Sequence, residues 1–289
     1  MKAIAALTLV GILILGGSSC AINTLVYPTT SEQDATTTQF QTQQLIKIAP
    51  SSVTEAVLKV FAEAYQAQDR TVKFEFISAG RAAGSIVALQ NKIADVAGSS
   101  YAISPQQGNG QIQSRFLSKD LLVIATHKGL TGVTNLTTAQ IKAIYTGDIT
   151  NWQEVGGPNA EIIVLKRPKA TAGNDLLRKY FLGQDQITSN AILLDKESEL
   201  VRTLQDTPYS IGAFSLSYLS IYPISVNCLS LNGVKPTVEN FTKGKYPMAR
   251  QLNIVWNKQP SVATQKFIDF IFSPTGTKIL QEKGLVPVS

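Results

Sequence analysis

The sequence predicts an α/β fold with mostly parallel sheets. From residue 45 nearly to the end of the chain, short apolar segments typical of strands alternate with amphipathic segments typical of helices. Residues 121–126 form a continuous apolar run, as expected for a strand that is covered on both faces. The length of 289 residues exceeds one average domain, so we expect two compact lobes.

In chain order, the first lobe begins with a strand, a turn and a helix, and the same order of elements then recurs. Alternating or continuous apolar residues predict strands at 45–49, 72–77, 96–99 and 121–126. One-sided apolar faces, each preceded by a turn of small residues, predict helices at 53–67 and 82–92.

The same criteria apply to the second half. They predict helices at 138–145, 174–181, 200–206, 261–272 and 277–283, and strands at 161–166, 211–214 and 252–256. Cys228 lies among alternating apolar residues and is expected to be a small buried strand residue.

The composition excludes several classes of protein. Hydrophobic residues at 44% and charged residues at 16% suit a packed core and exclude a disordered chain. Two cysteines exclude a disulfide scaffold, and a single histidine, His127, leaves little room for a metal site or a Ser-His-Asp triad. The net charge of +6 is compatible with an anionic partner, but the basic residues are scattered, which argues against nucleic-acid binding.

The N-terminus indicates export. Lys2 precedes an uncharged apolar stretch at 3–15, which is too short to span a bilayer and has the length of a signal-peptide core. We expect residues 1–19 to be a signal peptide. Small residues then lead into Cys20 in a pattern that resembles the lipobox of bacterial lipoproteins, in which the cysteine is acylated; an ordinary cleaved signal with an incidental cysteine is the alternative. Residues 20–44 are rich in Thr, Gln and Ser, which is typical of a flexible tether.

Three turns are candidates for anion contact, because each follows a strand and opens a helix. They lie at residues 50–52, 80–84 and 167–173. A helix start offers unpaired N–H groups and a positive dipole end. Arg81, Arg167 and Lys169 add positive charge at these turns. Ser52 could equally be only an N-cap, and the basic side chains could be solvated surface charges.

Several segments resemble the phosphate-binding proteins of phosphate ABC importers. The longest is residues 136–158, LTTAQIKAIYTGDITNWQEVGGP, and residues 94–100, 211–214, 246–250 and 270–276 match further segments in the same order. The resemblance implies the two-lobed periplasmic-binding-protein fold of type II, with a discontinuous first lobe and a hinge of two crossing strands. Residues 45–122 and 252–289 would form lobe 1, and residues 123–251 would form lobe 2.

The resemblance also implies a set of ligand-binding residues, although the sequence departs from the family's pattern at several of them. They are Ser51, Ser52, Val53, Arg81, Ala82, Tyr101, Arg167, Thr171, Ala172 and Gly173. Ala82 lacks the family's hydroxyl, and Tyr101 stands where some members carry an aspartate that accepts the proton of hydrogen phosphate. Ala170 and Ala172 replace glycines that flank a hydroxyl residue, so we expect strain or another loop shape there.

These features together predict a binding protein rather than an enzyme. We expect an exported, membrane-anchored lipoprotein facing the periplasm or the exterior, a monomer that captures phosphate or a related oxyanion for an ABC permease. No cofactor, metal or nucleic acid is expected. The alternative is a paralogue whose altered site binds another small ligand or acts as a sensor.

Overall fold

The structure is a computed structural model that describes residues 43–79, 82–104, 107 and 109–288. The predicted signal peptide, Cys20 and nearly all of the predicted tether lie outside the described residues, as does Arg81.

Strands and helices alternate along the described chain. The strands are β1 Gln44–Pro50, β2 Val72–Phe76, β3 Val96–Ser99, β4 Ile112–His127, β5 Asn135–Leu136, β6 Ile163–Lys166, β7 Ile192–Leu193, β8 Ser210–Ser215, β9 Val226–Cys228, β10 Ser230–Leu231, β11 Ala249–Asn257 and β12 Val286–Pro287. The helices are α1 Glu55–Gln68, α2 Ala82–Gln90, α3 Thr138–Thr146, α4 Ala172–Leu177, α5 Glu197–Asp206, α6 Leu216–Ile221, α7 Val238–Thr242, α8 Val262–Ile271 and α9 Pro274–Glu282. A 3-10 helix spans Trp152–Val155, and a π-helix, Arg178–Leu182, continues α4.

The main sheet has the strand order β2-β1-β3-β11-β4-β8-β6-β7. The outer strands pair in parallel, β1 with β2 and β3, and β6 with β7 and β8. Antiparallel pairing centres on β4 and β11. The predicted α/β class with parallel strands is confirmed.

β4 connects two halves of this sheet. Its first part pairs with β11, from Ile112 opposite Asn257 to Leu121 opposite Ala249. Its second part pairs with β8, starting with Leu122 opposite Ser215. The strand predicted at 121–126 is therefore the second part of a strand of 16 residues. The chain passes between the halves at Leu121–Leu122 and again just before Ala249, as a two-strand hinge requires.

The buried apolar residues form separate clusters on the two sides of this crossing. One cluster joins Phe61 of α1 to Phe267 of α8, so the beginning and the end of the described chain share a core. Another cluster surrounds Trp152 and Tyr145, both fully buried. The first side is thus discontinuous in sequence, while the predicted lobe borders stay predictions.

Some sequence-based expectations were wrong in detail. α1 begins at Glu55, two residues later than predicted, and α4 begins at Ala172, two residues earlier. Helix α6 was not predicted. Cys228 ends strand β9, but its side chain is exposed rather than buried.

Candidate functional site

The turn between β1 and α1 presents two free backbone donors. Ser51 N–H donates to the carbonyl of Gly98 at 3.0 Å, and the carbonyl of Ser51 accepts from the N–H groups of Thr54 and Glu55. Within the described part of the chain, the N–H groups of Ser52 and Val53 have no hydrogen-bond acceptor. The start of α1 therefore offers donors to a ligand.

A close approach between β3 and α1 holds this turn in place. A Cβ added at Gly98 would lie 2.2 Å from Thr54 Oγ1, and 2.8 Å from a methyl group of Leu58. Glycine at this position lets the turn lie directly against the end of β3.

The residues after β3 form a second side of the site. Ser99 Oγ donates to the carbonyl of Tyr101 at 2.9 Å and accepts from its N–H at 3.1 Å. Asn253 Nδ2 donates to the same carbonyl at 3.0 Å. These bonds fix the backbone of Tyr101 and leave Ser100, which is 8% exposed, between them.

The turn between β6 and α4 supplies the third side. Thr171 is the N-cap residue of α4, and its Oγ1 donates to the carbonyl of Pro168 at 2.9 Å. The N–H groups of Ala172 and Gly173 have no acceptor among the described residues. Neither Ala170 nor Ala172 adopts a positive φ, so the strain expected from replacing glycine is absent.

These three segments, with Ala82 of α2, surround a cavity of about 260 Å³ including its open mouth, called the cradle here. It is lined by Ser51, Ser52, Val53, Ala82, Ser100, Tyr101, Ala170, Thr171 and Ala172. Most of the sequence-predicted site residues therefore lie together. Ser100 was missed, although its position directly after β3, at the carboxyl end of a strand, is where α/β sheets place ligands.

Four predicted residues lie elsewhere or cannot be placed. Gly173 does not line the cradle; a Cβ at this glycine would lie 3.8 Å from Arg250 Nη1. Arg81 lies outside the described residues. Arg167 does not line the cradle directly but contacts one of its walls. Lys169 is exposed and lines a different cavity beside Arg167.

Arg167 is a buried cation that contacts a wall of the cradle. It is 8% exposed, and its Nη2 donates to Ser52 Oγ at 3.0 Å and to the carbonyl of Asp195 at 2.7 Å. Its Nε is buried and has no hydrogen-bond partner in the described structure. Burial lowers the pKa of Arg167 from its ordinary value, because desolvation disfavours the charged form. The buried guanidinium therefore has at least one N–H group, at Nε, that is free to donate a hydrogen bond.

Tyr101 forms a second bond across the cleft. Its hydroxyl donates to Asp175 Oδ2 of α4 at 2.6 Å. The pKa of Tyr101 lies above its usual range, first because burial disfavours the phenolate and second because of this bond. No carboxylate was predicted near this position from the sequence. Asp175 is four residues after Thr171, inside a predicted helix, where only the fold could show what it contacts.

A buried ion cluster lies at the strand crossing. Arg250 Nη2 is 2.8 Å from Glu197 Oε1 and 3.7 Å from Asp120 Oδ2, and all three residues are nearly inaccessible. Burial raises the pKa of Asp120 above its ordinary value, while the charge of Arg250 acts in the opposite direction. No sequence signal pointed to this cluster, because its members are far apart in the chain.

The described residues contain no group of three or more His, Cys, Asp or Glu side chains suited to a metal ion. None of the described helices combines the length and the hydropathy that a membrane span requires.

Comparison with known proteins identifies the family. A model of the PBP superfamily domain matches residues 29–275. The chain belongs to this superfamily.

Within the PBP superfamily, the chain is similar to two phosphate-binding proteins and to one solved structure. The chain is 28% identical over 255 residues to the phosphate-binding protein PstS of Borreliella burgdorferi, a match that covers 85% of this chain and 91% of that protein. It is 30% identical over 159 residues to PstS of Bacillus subtilis, covering 55% and 52%. A crystal structure from Clostridium perfringens, described as a phosphate ABC transporter substrate-binding protein with bound phosphate, superposes with a TM-score of 0.75 at 27% identity, over 85% of this chain and 100% of that one. The resemblance seen in the sequence, and the two-lobed fold expected from it, are confirmed.

Proposed function

We propose that this protein is an extracytoplasmic solute-binding protein that captures phosphate or a related tetrahedral oxyanion for an ABC importer. The observation that carries the proposal is the cradle, where free N–H groups from two helix starts meet beside a buried arginine. Backbone donors at helix starts favour negative charge, and a guanidinium binds oxyanions through directed hydrogen bonds. The PstS relatives, named for phosphate binding, support the same ligand class.

The ten residues inferred from the sequence remain the proposed binding set, with different roles. Ser52, Val53, Ala172 and Gly173 would act through their backbone N–H groups. The hydroxyls of Ser51, Ser52 and Thr171 and the guanidinium of Arg167 would add side-chain donors once the ligand competes for them. Ala82 and Tyr101 shape the remaining wall, and Arg81 stays a proposal from the sequence alone.

Export, anchoring and partners belong to the same proposal. A lipid attached to Cys20 and a tether through residue 44 would hold the folded body near the membrane, where lobe closure around the anion presents a changed surface to the permease. The lobes proposed are residues 45–122 with 252–289, and residues 123–251. The role is binding as a monomer, without catalysis or a cofactor.

Calorimetric titration with inorganic phosphate tests the proposal. Wild-type protein should bind phosphate, and the double variant Ser52→Ala, Arg167→Ala should bind at least about 100-fold more weakly, because buried charge-assisted hydrogen bonds are lost. Arg202→Ala is the matched control, since this arginine has an 86% exposed side chain outside the cradle. Absence of phosphate binding by the wild type, or unchanged binding by a folded double variant, contradicts the proposal.

The alternative is a protein whose altered site selects another ligand or serves in sensing. Ala82 favours it, because this wall of the cradle carries a methyl group and no hydroxyl. A thermal-shift series with phosphate, sulfate and molybdate distinguishes the two possibilities. A ligand that binds only the folded state stabilises it by RT ln(1 + [L]/Kd), so a ligand that binds raises the melting temperature. Stabilisation by phosphate alone removes the alternative.

A further inference from the structure

A cavity beside Arg167, called the basic cavity here, is lined by four cationic side chains. They are Lys166, Arg167, Lys169 and Arg178. None of its described lining residues is acidic, and these residues all lie between 166 and 193, a stretch that the structure describes without gaps. The volume of the basic cavity is about 640 Å³ including its open mouth, compared with about 260 Å³ for the cradle.

The cations of the basic cavity donate to neutral acceptors. Lys166 Nζ donates to the carbonyl of Thr188 at 3.0 Å. Arg178 Nη1 donates to the carbonyls of Gly183 and Asp185 at 3.3 and 3.4 Å. None of the four cations forms a salt bridge with a carboxylate of the described residues. The bonds therefore orient the side chains without cancelling their charges, and each ammonium or guanidinium keeps further N–H donors.

Carboxylates in the neighbouring segments do not neutralise the basic cavity. Asp185 pairs with Lys142 at 2.6 Å. Glu197 belongs to the buried ion cluster, where it pairs with an arginine at 2.8 Å. Asp195 and Glu199 are exposed, so solvent screens their charges. The basic cavity therefore keeps a positive potential that favours an anion.

The basic cavity suits an anion that has several charged groups and a carbon skeleton. Four cations around one cavity attract a multivalent anion more strongly than a monovalent one, because the Coulomb energies of the charge pairs add. The basic cavity is also larger than the cradle, which is proposed to hold a single tetrahedral oxyanion. Ile187 and Leu193 add apolar surface that a carbon skeleton can cover.

We propose that the basic cavity is a second anion site, separate from the cradle, that binds a small organic polyanion with two or more carboxylate or phosphoryl groups. Arginine and lysine side chains bind both kinds of group. Arg167 lines the basic cavity and contacts Ser52 in the wall of the cradle, so the two sites lie on either side of one guanidinium. The proposal is independent of which ligand the cradle binds.

Calorimetric titrations with citrate, fructose 1,6-bisphosphate and acetate test this assignment. Citrate presents carboxylates, the bisphosphate presents phosphoryl groups, and acetate is the monovalent comparison. At least one of the two polyanions should bind at least about tenfold more tightly than acetate, because it forms more charge pairs. The tighter of the two shows which charged group the cavity prefers. Absence of binding by both polyanions, or an acetate affinity equal to theirs, overturns the proposal.

A double variant in the basic cavity locates the bound polyanion. Lys166→Gln, Arg178→Gln should weaken polyanion binding at least about tenfold and leave inorganic phosphate binding unchanged, since neither residue lines the cradle. Lys266→Gln, Arg202→Gln is the matched control, because it removes the same charges at exposed positions outside the basic cavity, and it should change neither affinity. Unaltered polyanion binding by the cavity variant, an equal loss in the control, or equal losses of phosphate and polyanion binding overturn the proposal.

A second variant tests the site with every cation still in place. Leu193 is 57% exposed and lies opposite Lys166 in the register of β6 and β7. Leu193→Asp should weaken polyanion binding at least about fivefold, because the new carboxylate repels the ligand and competes for the cations. Ile93→Asp, at a residue that is 50% exposed and outside the basic cavity, is the control. Polyanion affinity that is the same in Leu193→Asp as in wild type contradicts the proposal.

Discussion

Asp175 places a carboxylate beside a site whose other groups favour anions. Among the described residues, its side chain accepts one hydrogen bond, from the hydroxyl of Tyr101 at 2.6 Å. A neutral donor disperses part of the carboxylate charge but does not cancel it. Asp175 is exposed, so solvent screens its field, and its effect on a bound oxyanion is a modest repulsion.

Asp175→Asn should therefore strengthen phosphate binding. Removing one negative charge near the anion at high dielectric is worth about 1 kcal/mol, or roughly fivefold in affinity. Calorimetry at low and at high salt measures the change, which should shrink as salt screens the carboxylate. Asp269→Asn on α8, also exposed, is the control. Weaker binding by Asp175→Asn would show instead that the carboxylate accepts a proton from the ligand.

At this scale, the sequence predicted residues whose role follows from local chain geometry. Ser52 and Thr171 lie in turns between a strand and a helix, and such turns are visible in a pattern of apolar and small residues. Asp175 and Arg250 could not be found in this way, because their partners are 74 and 53 residues away in the chain. Long-range pairing is set by how the strands are ordered, which periodicity does not encode.

The start of helix α1 packs against Gly98 at the end of strand β3, and this contact positions two of the free N–H donors of the cradle. Gly98 accepts the Ser51 N–H through its carbonyl, and the absence of a side chain at Gly98 admits Thr54. Since Ser52 and Val53 lie between these two contacts, a shift of α1 away from β3 would move both free donors.

Gly98→Ala should lower both stability and phosphate affinity. The added Cβ would lie 2.2 Å from Thr54 Oγ1 and 2.6 Å from its Cβ, so the start of α1 must move. Overpacking of this kind costs about 1–3 kcal/mol of unfolding free energy, measured by urea denaturation. Gly212→Ala is the comparison, because its nearest contact is a flexible methyl group of Leu200 at 3.0 Å and it does not line the cradle. Equal phosphate affinities for Gly98→Ala and wild type would contradict this role of the β3 contact.

Elements with a clear apolar pattern were predicted closely, and elements with a mixed pattern were not. Strand β3 was predicted with its observed bounds, since all four of its residues are buried. The first half of β4 was missed because Gln113, Ser114 and Arg115 are exposed and polar, and the strand is recognised only through its pairing with β11. A strand that passes from one half of the sheet to the other changes its burial pattern midway. A regular alternation of apolar and polar residues therefore does not extend along its whole length, and the strand is not predicted as one element.

Across the whole molecule, the buried ion cluster ties together the strands that cross between the two halves of the sheet. Asp120 of β4 lies opposite Arg250 of β11 in the strand register, and Arg250 also pairs with Glu197 at the start of α5. Ser217 donates its N–H and its hydroxyl to Asp120, and Ser215 donates likewise to Glu197. Two buried carboxylates thus share one guanidinium, and Gly173 packs near the other terminal nitrogen of Arg250.

Because burial raises the pKa of Asp120 above its ordinary value of 3.8, this group should make stability depend on pH. A carboxyl group with a higher pKa in the folded state holds its proton more tightly there, so its contribution to stability is greatest at low pH. That contribution is lost as the pH rises from about 3.8 through the raised pKa.

Asp120→Asn removes the titration while keeping a similar shape. The unfolding free energy of wild type minus that of Asp120→Asn, measured in urea between pH 4 and pH 8, should therefore fall with rising pH, by at most about 1.4 kcal/mol for each pH unit, and then level off. Asp206→Asn, whose side chain is 68% exposed, is the surface control. A difference that grows with pH would mean that attraction to Arg250 outweighs desolvation, so that the ionised carboxylate stabilises the crossing.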